Sequence, residues 1–250
     1  MKNILLIGAS GGIGNKVAEL LLEEKLNIIG TYFQHPERIK NLKKLGNFVD
    51  RFVDIRDIES IKNLHGFVEK KFTELFAVVN CSGIVDFEGK DQEKDFEIWN
   101  KIIATNLSGN YYLAKIFYDL LSKEGRFIMT SSTDAYFGGA ITASYAASKA
   151  GVNSLTKPLS LLFQDKKISV NSIAPGWVMT PMAKINGSEF LDKVASINPL
   201  KRNAFPKDIA GLVKFLLSEN ASYINGQVIS IEGGYTNQDP TLLLEQDIQG

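Results

Sequence analysis

The chain holds one cysteine, Cys81, in 250 residues, so no intrachain disulfide can staple it and nothing calls for an oxidising compartment. It also lacks an excess of either charge, since Lys plus Arg and Asp plus Glu both total 28. Without a basic or acidic surplus there is no electrostatic reason to expect nucleic acid or an anionic membrane as partner. The same neutrality does little to oppose self-association. Long apolar runs are missing too. The opening run Ile4-Leu5-Leu6-Ile7 is too short for the core of a leader, and no stretch approaches the 18 or more residues of a membrane span. A soluble cytoplasmic protein is therefore expected, and no metal-ligand set is.

What is present suits one buried core. Hydrophobic residues make up 44% and charged residues 22%, the balance of a globular domain able to fold as one unit. Short apolar runs predict strands at Asn3–Ile7, Asn27–Tyr32, Phe48–Val53, Phe76–Asn80, Arg126–Thr130, Ile168–Ile173 and Gln227–Ile231. Between them, helical patterns cover Gly14–Lys25, Pro36–Leu45, Ile58–Phe72, Asp95–Ser122, Ser144–Phe163 and Pro206–Ser218. The strands are continuously apolar rather than alternating, as when helices cover both faces of a parallel sheet. Repeated βα units predict an α/β, doubly wound, Rossmann-type fold with one parallel seven-stranded sheet, in a single domain over 1–250.

The run from Gly125 to Gly151 concentrates the chemistry. A predicted strand ends in Ser131-Ser132, and after a loop come Tyr145 and Lys149, four apart and so on one face of a helix. A neighbouring ammonium favours the phenolate and is expected to pull the tyrosine pKa down from about 10. Such a tyrosine can give a proton to a carbonyl oxygen or take one from an alcohol. Other features gather at the predicted strand ends. Gly8-Ala9-Ser10-Gly11-Gly12-Ile13-Gly14 follows strand one and opens a helix, the setting of a phosphate-binding loop. Asp54 closes strand three and is read equally as a polar strand end or as an acceptor for an adenine amino group, with Asp57 as the next N-cap. Strand four ends in Asn80-Cys81-Ser82-Gly83. Asn106 interrupts a helical segment, where a local kink is expected. Pro158 predicts a kink in the helix that carries Tyr145. Trp177, Met179 and Met182, in the loop after strand six, supply apolar surface suited to covering a substrate.

The set resembles the short-chain dehydrogenase/reductase family, in its form of about 250 residues, over nearly the whole chain. The matching pieces fall in that family's order: GASGGIG at 8–14, Asp54-Ile55, NCSG at 80–83, Asn106, Ser132, YAASK at 145–149 and PG at 175–176. The resemblance implies that Tyr145 is the general acid/base and that Lys149 lowers its pKa and holds the nicotinamide ribose. It implies that Ser132 orients the carbonyl oxygen, and that Asn106 holds a water linking Lys149 to solvent. It also implies a dinucleotide site drawn from Gly8, Ser10, Gly12, Ile13 and Gly14, Tyr32, Asp54 and Ile55, and Asn80, Ser82 and Gly83. Pro175, Gly176, Val178 and Thr180 complete that site beside Tyr145 and Lys149.

The function implied is hydride transfer between NAD(P) and a small carbonyl or alcohol substrate. Members similar to it include reductases of 3-oxoacyl chains on acyl carrier protein, which would make the substrate an acyl thioester. A dinucleotide sensor without turnover is the reading of another class; it would be expected to lack Tyr145 or Lys149. NADP(H) is favoured over NAD(H), because Tyr32 stands at the end of strand two where NAD-using relatives usually carry Asp. Ser10, Thr31, Tyr32 and Gln34 are candidate donors to a 2′-phosphate, with His35 or Arg38 adding charge. A homo-oligomer, tetramer or dimer, is expected through 95–122 and 144–163, using Tyr111, Tyr112, Phe117, Ala146, Ala147 and Leu161. Three departures stand out: NCSG in place of the usual NNAG, Pro158, and a tail, 238–250, beyond the usual end.

Overall fold

Strand β1 (Asn3–Ile7) carries four consecutive apolar side chains, and successive side chains of a strand point to opposite faces. Ile4 and Leu6 enter one core layer with Val17, Leu21 and Val213. Leu5 and Ile7 enter the other with Leu64, Phe117 and Phe127. A strand apolar on both faces must be covered on both, which is the doubly wound arrangement. The computed structural model describes residues 1–237; the predicted tail, 238–250, lies outside them.

The sheet runs β3-β2-β1-β4-β5-β6-β7, with every neighbouring pair parallel. The other strands are β2 (Asn27–Tyr32), β3 (Phe48–Phe52), β4 (Leu75–Asn80), β5 (Leu121–Thr130), β6 (Ser169–Pro175) and β7 (Val228–Ile231). Helices α1 (Gly12–Glu23) and α8 (Pro206–Leu216) cover one face. On the other lie α2 (Ile58–Lys71), α4 (Gly109–Phe117) and α5 (Ala143–Leu162). Strand order reverses between β1 and β4, which opens a crevice at their C-terminal ends. Among the described residues no helix is long and apolar enough to cross a membrane.

Four local features differ from the sequence expectation. The segment Pro36–Lys44 is a 3₁₀ helix rather than an α-helix. The helical pattern read as 95–122 begins earlier, with α3 (Gln92–Ile103), where the Asp91 carboxylate caps the start. It then passes through a π-turn at Ala104–Ser108, centred on Asn106, into α4 and stops at Phe117. Leu121 instead pairs with Leu75 and opens β5, with Glu124 at φ +62° ahead of Gly125. Sheet pairing thus takes residues that propensity alone assigns to a helix. Pro158 does not interrupt α5, which runs on to Leu162; both it and Ser154, whose carbonyl loses its donor, belong to exposed positions. The sequence reading also missed α6 (Pro181–Lys184) and α7 (Ser188–Ile197), which sit over the site described next.

Gly14 is the tightest point of the first βα turn. A Cβ there would lie 2.2 Å from the Gly8 carbonyl oxygen, a backbone atom that cannot swing aside. Gly14→Ala is therefore expected to lower the unfolding free energy by about 1–3 kcal/mol, read as a fall in urea midpoint at unchanged slope, while a midpoint equal to wild type would show the turn to be slack.

Candidate active site

The site begins where β1 and β4 end side by side. Gly8, at φ +78°, packs so closely on the chain after β4 that a Cβ would lie 2.8 Å from Ser82 N. Its N–H donates to Thr31 Oγ1 at 3.1 Å, and Gly11 N–H donates back to Gly8 O at 2.9 Å. Helix α1 then opens with no side-chain cap and no acid in its first turn. That leaves a positive helix end facing the crevice, where a pyrophosphate would be held. Gly12 lies against Thr180, whose methyl carbon would be 2.8 Å from a Cβ there. The loop after β6 is thereby laid across the glycine turn, and Thr180 itself caps α6.

The second half of the site is the junction of β5 with α5. Ser131 N–H donates to Ile173 O at 2.7 Å, while its hydroxyl donates to Lys149 O at 3.1 Å, fixing helix to strand. Ser132 follows, and its hydroxyl accepts the Asp134 N–H at 3.1 Å in a short 3₁₀ turn. Lys149, only 2% exposed, donates from Nζ to Thr130 O at 2.8 Å and lies 5.5 Å from the Tyr145 ring centroid. Thr130 in turn donates from its hydroxyl to Asn80 O at 2.8 Å. The spacing of four did bring Tyr145 and Lys149 together, with the Ser132 hydroxyl beside the phenol.

A buried polar network backs this arrangement. Asn80 accepts from Ser82 N and Ser82 Oγ, and donates to Asn110 Oδ1 at 2.8 Å. Asn110 donates to the Asn106 main-chain carbonyl, in the middle of the π-turn, at 2.7 Å. The Asn106 amide grips Ile84 from both sides, accepting its N–H and donating to its carbonyl, each at 2.9 Å, and also donates to Ser148 Oγ. Gly83 lies between Lys149 Nζ and Asn106 Oδ1. The loop after β4 is also clamped to the start of α5, because Glu88 accepts the Ala143 and Ser144 N–H groups at 2.7 and 2.8 Å.

The electrostatics reverse one expectation. Burial, then the Asp134 carboxylate, push Tyr145 up to about 12, against the pull of the Ser132 hydroxyl. Burial likewise depresses Lys149 to about 8, with Asp134 and Cys81 opposing it. The predicted residues otherwise sit around one cleft: Ile13, Ser132, Tyr145, Lys149, Pro175, Gly176, Val178 and Thr180 all line it. Trp177 and Met182 line it as well, with Trp177 packed on Phe190 of α7, whereas the Met179 sulfur turns to Asn203.

At the end of β2 the cast is changed. Thr31 is fully buried and holds Gly8, and the Ser10 hydroxyl donates to Gln34 O, so neither points a free donor outward. His35 and Arg38 both lie beside Glu37, whose carboxylate offsets the Arg38 charge. Asp54 is gripped by the Arg56 guanidinium, which holds its carboxyl below the usual range, and Arg56 lies 5.0 Å over the Phe33 ring. Arg56, Glu88, Asn110 and Asp134 went unnoticed in the sequence. Only Asn110 left a signal, four residues after Asn106 in an otherwise apolar helix.

Comparison with known proteins matches this geometry. A family profile described as enoyl-(acyl carrier protein) reductase matches residues 8–236. The chain is similar to glucose 1-dehydrogenase 2 of Bacillus subtilis, at 30% identity over 94% of this chain and 95% of that one. It is 34% identical to a 3-oxoacyl-[acyl-carrier-protein] reductase of Vibrio harveyi, over 93% of this chain and 96% of that one. Among solved structures, actinorhodin polyketide ketoreductase with NADPH superposes with a TM-score of 0.87 at 27% identity, covering 95% of this chain and 98% of that one. With matches that span the whole nucleotide crevice and the Ser132–Tyr145–Lys149 junction alike, the chain belongs to the short-chain dehydrogenase/reductase family of oxidoreductases.

Proposed function

We propose that the protein transfers a hydride between a nicotinamide dinucleotide and a small carbonyl or alcohol substrate, with Tyr145 as general acid/base. The observation that carries this reading is the convergence of Ser132, Tyr145 and Lys149 on one cleft that continues into the uncapped start of α1. The dinucleotide fits that crevice: the bare backbone of Gly8, Gly12 and Gly14 leaves room for a pyrophosphate, with Ser10 and Ile13 in the same turn. Tyr32, Asp54 and Ile55 would border the adenosine, and Asn80, Ser82 and Gly83 the central part. Pro175, Gly176, Val178 and Thr180 would border the nicotinamide end. When bound, the cofactor supplies the hydride.

The chain's own part is to hold and move one proton. A phenol pushed up to about 12 stays protonated at neutral pH, the form that donates to a carbonyl oxygen. Ser132 donates to the same oxygen as negative charge grows on it. Lys149, anchored at Thr130 O, places positive charge beneath both. The Asn106 carbonyl, with one lone pair given to Asn110, keeps the other for a water leading from Lys149 towards solvent. The apolar wall of Val85, Phe87, Trp177 and Met182 keeps bulk water from the reacting carbon.

NADP(H) is the proposed partner dinucleotide, because no acid stands at Tyr32 to repel a 2′-phosphate. Tyr32, Gln34 and Arg56 are the groups left to meet it. We also propose a homo-oligomer, tetramer or dimer. Phe117 is buried and unavailable for subunit pairing, but Trp99, Tyr111, Leu161 and Leu162 leave apolar surface exposed on α3, α4 and α5. A cytoplasmic setting accords with the single free cysteine.

Three measurements test these readings. Tyr145→Phe keeps the ring and its packing and removes only the proton, so kcat should fall by at least about 10²–10⁴-fold while dinucleotide affinity stays near wild type. Retention of more than about a tenth of wild-type kcat would remove Tyr145 from the mechanism. On one good substrate kcat/KM should be higher with NADPH than with NADH, and a tenfold preference for NADH would overturn the reading of Tyr32. Light scattering at micromolar concentration should give a multiple of 27.6 kDa, and the monomer mass would sink the oligomer.

A further inference from the structure

Among the described residues, Asp134 is the one carboxylate on the wall of the catalytic cleft, and apart from Lys149 no other charged side chain lines it. The acid is brought there by Ser132. In taking the Asp134 N–H, Ser132 tightens the 3₁₀ turn Thr133–Ala135, which sets the Asp134 carboxylate beside the Ser132 hydroxyl. The Ser132 hydroxyl is therefore flanked by the Tyr145 phenol and by this carboxylate.

A structural duty does not account for the acid. Among the described residues it forms no ion pair with a lysine, arginine or histidine. Lys149 acts on it through space, but its ammonium donates to Thr130 O. The loop that follows does not use it as a cap either, since Gly138 N–H goes to the Asp134 main-chain carbonyl. Burial pushes the carboxyl up, with Lys149 and the Ser132 hydroxyl opposing that push. The wall of the cleft otherwise carries apolar side chains, among them Val85, Phe87, Trp177 and Met182, and neutral polar ones such as Thr142 and Asn186. A carboxylate has room for about four donors; among the described residues the Ser132 hydroxyl is the side-chain donor beside it, and once that single proton goes to the substrate oxygen Asp134 is left without it.

We propose that Asp134 selects the substrate: a carbonyl compound, or the corresponding alcohol, bearing a hydrogen-bond donor on the carbon next to the reacting one. This rests on the carbonyl chemistry proposed for the site. With the carbonyl oxygen held between the Ser132 and Tyr145 hydroxyls, the carboxylate on the far side of Ser132 meets a substituent of the adjacent carbon. A hydroxyl or ammonium there satisfies it. An alkyl group there leaves a half-buried acceptor stripped of water and unpaired, and an anion there is repelled.

The test compares three ketones of nearly equal size with NADPH: hydroxyacetone, 2-butanone, in which a methyl replaces the hydroxyl, and pyruvate, which is anionic. Wild type should prefer hydroxyacetone to 2-butanone by about 10- to 100-fold in kcat/KM, the range of one hydrogen bond to a charged group, and should use pyruvate least. In Asp134→Ala the first ratio should fall to within about threefold and pyruvate should gain; Asp134→Asn, with a neutral acceptor, should lie between. Because each ratio is taken within one variant, a partly unfolded preparation does not alter it. An unchanged ratio in Asp134→Ala, or a wild-type preference for 2-butanone, would overturn the proposal while leaving the carbonyl chemistry intact.

A binding arm separates the two ideas. Trp177 lines the cleft, so intrinsic fluorescence of the protein–NADP⁺ complex reports its filling. Tighter binding of 1,2-propanediol than of 2-butanol, lost in Asp134→Ala, would uphold the role of Asp134 even if no ketone were reduced, and would then count against the hydride chemistry. Neither turnover nor binding of any probe would overturn both.

Discussion

The hydrogen bond from Lys149 Nζ to Thr130 O is the tie on which the site depends. An ammonium removed from water is stable only where fixed acceptors replace the water, and a strand-end carbonyl is such an acceptor. Holding it requires α5 to lie close against β5, which the Ser131 hydroxyl secures by bonding to Lys149 O. It also requires Thr130 to be held, which its own bond to Asn80 O does across the β4–β5 pair. One buried charge thereby aligns the helix that carries Tyr145 with the strand end that carries Ser132.

The nucleotide half is held by contact rather than by charge. Gly8 and Ser82 meet backbone to backbone at the reversal of strand order, and Gly12 and Thr180 meet where the β6 loop crosses the turn. Side chains at either place would drive these segments apart and close the crevice. Between the two halves runs the polar chain Ser82–Asn80–Asn110–Asn106–Ser148, built on the π-turn. Such a network is worth having only when fully satisfied, and its members each find a partner. It explains why an asparagine interrupts an apolar helix, where the residues by themselves suggested a kink and the resemblance a water site.

Electrostatics in the cleft follow burial more than pairing. Tyr145 and Lys149 are close enough to influence each other, yet burial moves each towards its neutral form, and Asp134 reinforces the shift of the tyrosine while opposing that of the lysine. The simple expectation that an ammonium one turn away lowers the phenol pKa assumes both groups stay in one solvent environment. The fold places them in another.

The sequence by itself determined the fold class, the order of its strands along the chain and most of the residues in the cleft. Continuous apolar strands admit only a sheet covered on both faces, and glycines at a strand–helix junction or a Tyr four residues before a Lys are local signals that survive folding. Tertiary structure alone decided what those signals meet. Leu121 left the helix for the sheet because pairing with Leu75 outweighed its propensity. Thr31 and Ser10 spent their hydroxyls on Gly8 and Gln34, while Arg56 arrived beside Phe33 from the turn after β3. Asp134 drew no notice in the sequence, and only the turn made by Ser132 put it into the cleft. Contacts between residues distant in the chain, and the water they exclude, have no local signature for a sequence to carry.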